Sequence, residues 1–161
     1  MELDPVALQE IESSIGEQIA ALQGLNDALD AELEALRAAS ADRLDAATTA
    51  KSGWLERVES GGSALLECAA RHGHDGRERL DTWLERADPC AAQPRAMLAR
   101  LQSTTRDCIE RNQRNGAVIE GANRQVSDAL SVLHDGGGRT GSTYDAAGGR
   151  NAPGRIHLGS A

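Results

Sequence analysis

The side chains best suited to chemistry cluster around residues 68–74. Cys68, His72 and His74 stand close together, and Cys90 and Cys108 follow at wide spacing. Thiolate and imidazole are zinc ligands. Yet no paired CxxC is present, and the three leading donors straddle a helix end and the loop Arg71-His72-Gly73-His74-Asp75-Gly76. The pattern therefore predicts no metal site, with buried thiols and a solvated histidine loop instead. A cysteine–histidine nucleophile also fails. No cysteine or serine sits in a strand–turn–helix elbow. Gly136-Gly137-Gly138 follows a helix rather than a strand and opens no second one, unlike a phosphate-cradling loop. The carboxylates lie at helix-surface spacings. Neither a catalytic residue nor a cofactor is predicted.

Two other polar features stand out. Lys51 is the sole lysine and falls in a row with Leu44, Val58 and Leu65. Either its stem covers apolar surface while the ammonium reaches water, or it forms a buried pair with a glutamate of the first helix. The second feature is Asn112-Gln113-Arg114-Asn115-Gly116. Leu98, Thr105, Asn112, Ile119, Val126 and Leu133 stand seven apart, and Leu101, Cys108, Asn115, Ala122 and Ala129 form the row three residues on. Both asparagines thus fall where a helix would face a partner. A buried amide without partners costs about 1–3 kcal/mol, so the interruption needs a reason. Three readings stand side by side. Asn-Gly is a turn dipeptide. Seam asparagines set register between helices. Gly116, Ala117 and Gly121 let another helix approach closely.

The elements that position these residues read as helices. Asp4 is a good N-cap and Pro5 suits the first helical position. Leu8, Ile15, Leu22, Leu29 and Leu36 form a seven-residue row, flanked by Ile11, Leu25, Ile19 and Leu33. A helix over 5–38 would span about 50 Å at 1.5 Å per residue. Ser40 or Asp42 caps a second helix, with Ala47, Leu55, Leu66 and Ala69 beside the Lys51 row. Gly61-Gly62 weakens it and predicts a kink or break. A short helix over 77–87 carries Leu80, Trp83 and Leu84 on one face. Pro94 opens a final helix running to about His134, stopped by the glycines after it.

The predicted architecture is all-α: an elongated antiparallel helical hairpin, coiled-coil-like, of three long helices and one short one. One helical domain covers 1–135. A Gly/Ser/Arg-rich tail covers 136–161, too poor in apolar residues to fold.

Charge bounds the partners. Of 161 residues, 17 are basic and 25 acidic, a net charge of −8. Residues 1–37 hold nine acidic side chains against Arg37 alone. An acidic body argues against nucleic-acid binding. No 18-residue apolar run suggests membrane insertion, and no signal-like segment opens the chain. Three widely spaced cysteines make a disulfide framework improbable, and the cytoplasm is the simplest compartment.

Asn112, Asn115, Gly116 and Ile119 on a long helix precede a stripe through Val126, Ala129, Leu130 and Leu133. A glycine break and Tyr144-Asp145-Ala146-Ala147-Gly148-Gly149-Arg150 follow. Together with the acidic leucine-rich first helix, these resemble the flagellar export chaperones of the FlgN type. The resemblance implies a cytoplasmic, non-enzymatic chaperone. It would bind the C-terminal segments of hook-associated proteins, prevent their premature assembly, and deliver them to the flagellar export gate and ATPase complex. It places client contacts at Asn112, Asn115, Gly116, Ile119, Val126, Ala129, Leu130 and Leu133, and export-apparatus docking at Tyr144. From the residues alone, a structural coiled-coil adaptor or tether is the alternative.

Overall fold

The computed structural model describes residues 3–88 and 91–137, with side chains as far as residue 131. It is all-α. Helix α1 spans Pro5–Arg37, α2 Ala41–Arg71, α3 Leu80–Ala87 and α4 Ala92–Gly137, with no strand among the described residues. The chain divides into two units, Met1–Gly121 and Ala122–Ala161.

Helix α1 opens as its sequence predicts. The Asp4 carboxylate accepts the Ala7 N–H at 2.7 Å, and Pro5 occupies the first turn, where no amide hydrogen is needed. Its apolar rows are deeply buried: Ile11, Ile15, Leu22 and Leu29 are each 3% exposed or less. Glu10 meets His72, Gln18 meets Val58 and Glu32 meets Lys51, so α1 and α2 run antiparallel. Leu22 meets Cys108 and Leu29 meets Asn115, so α4 runs parallel to α1 within the first unit. Helix α3 covers the early turns of α1. There Trp83 and Leu84 join Ile11, Ile15, Cys68 and Ala69 in one cluster.

Gly61-Gly62 does not break α2, which is continuous from Ala41 to Arg71. The glycines serve packing instead. The Gln18 side chain crosses from α1 and donates to the Val58 carbonyl at 3.0 Å, and a Cβ on Gly61 would strike its amide oxygen. On α1, Gly24 plays the same part for Trp54: a Cβ there would lie 2.5 Å from the indole ring. Helix propensity lost at each glycine is offset by close approach of the two helices. The Lys51 row faces inward as expected. Leu55 and Leu66, expected beside it, are instead exposed at 42% and 56%.

The two long helices of the hairpin end alike. At the end of α2 the His74 N–H reaches the Ala69 carbonyl at 3.0 Å and the Gly73 N–H reaches Ala70 at 3.1 Å, with Gly73 at φ 97°. This is a Schellman stop, and glycine suits it. At the end of α1 the Ser40 N–H bonds to Ala35 and the Ala39 N–H to Leu36, but the left-handed residue is Ala39, at φ 49°. An L side chain in that conformation costs roughly 1–2 kcal/mol. The variant Ala39→Gly is therefore expected to stabilise the protein by about 1 kcal/mol, read as a higher urea midpoint at unchanged m-value. A lower midpoint would refute the strain.

Candidate functional site

The polar interruption in the last helix is a folded junction rather than a turn. Helix α4 runs unbroken through Asn112–Gly116. Asn115 is 1% exposed, and its amide nitrogen donates to the Leu29 carbonyl at 2.7 Å and to Glu32 Oε2 at 2.9 Å. The other carboxylate oxygen of Glu32 accepts from Lys51 Nζ at 2.6 Å. Glu32 is 3% exposed. One carboxylate thus holds a lysine of α2 and an asparagine of α4. Of the two sequence readings for Lys51, the buried pair is the one observed. Around the junction, Arg111 and Arg114 of α4 both pair with Asp30 of α1, Arg114 at 3.3 Å.

A buried ion pair contributes little net stability, because desolvating both charges nearly cancels their attraction. What it does supply is register. Moving α4 by one turn would strand Glu32 and Lys51 without the third partner. Asn115, expected among the client contacts, is buried in this fold with its amide nitrogen bonded to α1. Asn112, by contrast, is exposed.

The seven-residue row through Leu98, Thr105, Asn112 and Ile119 does not face the core along its length. Thr105, Asn112 and Ile119 are exposed, while Leu98, Thr104, Cys108 and Asn115 are buried. A straight α-helix has 3.6 residues per turn, so a strict seven-residue row drifts about 20° each heptad. The buried seam stays fixed in space by stepping from one row to the next.

Exposed apolar residues of α4 occur in each unit. In the first unit, Val118 and Ile119 are 39% and 38% exposed. Gly116 and Gly121 have nothing within 4 Å of a would-be Cβ. Unlike Gly24 and Gly61, neither makes room for a neighbour in the described fold. In the second unit, Val126 and Leu130 are 60% and 56% exposed, and Ala129 is exposed between them. Their three- and four-residue spacing puts them on one side of the helix. Leu133 lies on α4 beyond the described side chains, and Tyr144 lies outside the described residues.

Of the cysteines and histidines considered as one zinc set, His74 and Cys108 are engaged elsewhere. His74 packs edge-on against Trp83 at 5.4 Å, with Nε2 2.9 Å from the Glu78 carbonyl. The Cys108 thiol points at the Leu22 carbonyl at 3.4 Å, and burial pushes its pKa up, away from thiolate chemistry. Cys90 lies outside the described residues. No helix among the described residues is long and apolar enough to cross a membrane.

A family model described as FlgN protein matches residues 1–152. The chain belongs to the FlgN family. Members of that family are flagellar export chaperones. No curated protein and no solved structure matches the chain. In this FlgN protein Ile119 is exposed in the first unit, and Val126, Ala129 and Leu130 are exposed in the second. The partner that Asn115 meets went unseen, because Glu32 lies far back in the chain and its spacing carries no mark of the pairing.

The junction gives a sharp expectation. Replacing Lys51 with methionine leaves Glu32 buried and short of its cation, which is expected to cost about 3 kcal/mol in chemical denaturation. Replacing Glu32 with methionine as well should recover most of that loss. If the double variant is as unstable as the single one, packing of the lysine stem dominates and the ion pair does not.

Proposed function

We propose that this FlgN protein binds the C-terminal helical segments of hook-associated flagellar proteins in the cytoplasm, keeps them from assembling early, and hands them to the export apparatus. The observation that supports this most is the open row on α4. Val126 and Leu130 are large apolar side chains more than half exposed, and exposed rows of this kind mark interaction sites. Covering such a side chain fully is worth about 1.5–3 kcal/mol.

A client helix laid along this row would use the helix-in-groove mode, anchored at three- and four-residue spacing. Ile119 and Leu133 fall in the same sequence row and extend the proposed contact, with Ala129 between the larger anchors. Gly116 and Gly121 are helix-weakening residues whose open space nothing in the described fold fills; a second helix approaching there would use it. Asn112, exposed beside them, is a polar contact at the margin. Such binding needs no catalytic group and no cofactor. Tyr144 is proposed as the point of engagement with the export gate and ATPase complex, on the strength of its tail motif alone.

Two measurements test the reading. The paired change Val126→Asp and Leu130→Asp removes both anchors and presents carboxylates to an apolar helix. Affinity for a C-terminal peptide of a hook-associated protein should fall at least about 100-fold. Helicity should be unchanged, since neither side chain is buried. Undiminished affinity would remove α4 as the client surface and leave the structural tether as the better account. Separately, Tyr144→Ala should preserve client affinity and reduce export of the client from cells. A chain truncated after Leu133 that supports full motility would end the docking assignment.

A further inference from the structure

Near the free ends of the α1–α2 hairpin, three potential ligands meet that the client surface does not use. Cys68 and His72 stand four apart at the end of α2 and so share a side of the helix. Glu10 reaches them from the second turn of α1. The Cys68 Sγ, a ring nitrogen of His72 and a carboxylate oxygen of Glu10 all lie within 4.8 Å of one another. His72 Nε2 is 3.0 Å from Glu10 Oε2. Cys68 is 2% exposed, and its thiol makes no hydrogen bond among the described residues. The thiol forms the floor of the cluster, with the half-buried imidazole beside it and the exposed carboxylate at its mouth.

We propose that Glu10, Cys68 and His72 form a binding site for a zinc-class divalent ion. A thiolate, an imidazole and a carboxylate are zinc donors, and the thiolate disfavours magnesium and calcium. Three protein ligands leave a fourth tetrahedral position, which water takes from the solvent side past Glu10. Zinc–ligand bonds of about 2.0–2.3 Å require the donors to draw closer than their present spacing. Glu10 is the free-moving member, because its side chain is 46% exposed. The Arg71 guanidinium, 3.5 Å from Glu10 Oε2, is largely exposed and swings aside as the ion enters. Binding exchanges the His72–Glu10 hydrogen bond for metal–ligand bonds and releases the thiol proton to water.

The site would clip the hairpin at the end opposite its turn, adding to the contacts already there. The turn around Ala38–Ser40 joins α1 and α2 at one end, whereas Glu10 and His72 lie toward the other. A cross-link that closes a long loop removes much of the unfolded chain's freedom. An ion bound only by the folded chain raises its stability by mass action.

The test uses the full chain with Cys90 and Cys108 both replaced by alanine, so that Cys68 is the sole thiol, titrated with cobalt(II) without oxygen. A thiolate-to-cobalt charge-transfer band with tetrahedral d–d absorption is expected, displaced by zinc, and zinc should raise the melting temperature. Glu10→Gln and His72→Ala, both at positions outside the deep core, should each weaken metal affinity at least tenfold with circular dichroism unchanged. The same His72→Ala comparison in the otherwise native chain serves if the alanine background is poorly folded. Absence of the charge-transfer band, or equal affinity in the His72→Ala variant, would overturn the site.

Discussion

The arrangement of the first unit turns on a single buried carboxylate. Glu32 is withdrawn from water on α1 and is tolerable there only because Lys51 of α2 and Asn115 of α4 both reach it. Leucine and alanine seams are permissive. They slide by a turn at little cost, because one apolar side chain replaces another. A charge that demands two particular partners from two different helices is not permissive. The sole lysine of the chain and one of its seam asparagines thus fix how three long helices line up, and the apolar clusters on either side then pack in one register.

That junction lies near the end of the covered part of α4 in the first unit. Asn115 pairs with Leu29 and Glu32 close to the point where α1 stops at Arg37. From Ala117 onward, α4 residues are exposed or only partly covered as far as residue 131. Val118 and Ile119 of the first unit, and Val126 and Leu130 of the second, are apolar and exposed. Here a polar junction marks the end of the covered seam. The glycines follow the same division. Gly24 and Gly61 are filled by Trp54 and Gln18, whereas Gly116 and Gly121 stand open.

Much of the local structure was legible in the chain. The Asp4–Pro5 start, the apolar rows of α1 and the inward Lys51 row follow from periodicity and capping chemistry alone. The errors have a common origin. Gly61-Gly62 reads as a break because propensity is local, while the contact that keeps α2 whole comes from Gln18, far off in sequence. Thr105 and Asn112 read as seam residues because a seven-residue row was followed where the helix turns every 3.6 residues. Leu55 and Leu66 read as core because a leucine beside a buried row looks the same whether or not a third helix covers it. His72 and His74 are close neighbours in sequence, yet His72 faces Glu10 of another helix and His74 faces Trp83.

The order of apolar, capping and breaking residues therefore determined which segments are helical, roughly where each begins and ends, and that one row near residue 126 is apolar. These depend on interactions within a few turns of chain, and neighbouring residues carry them. Tertiary structure alone decided that Glu32 joins Lys51 to Asn115, that Gln18 fills the space at Gly61, and that Glu10 meets Cys68 and His72. Each of these is a meeting between helices, set by their mutual rotation and rise. A helix shows that rotation only once it has something to pack against.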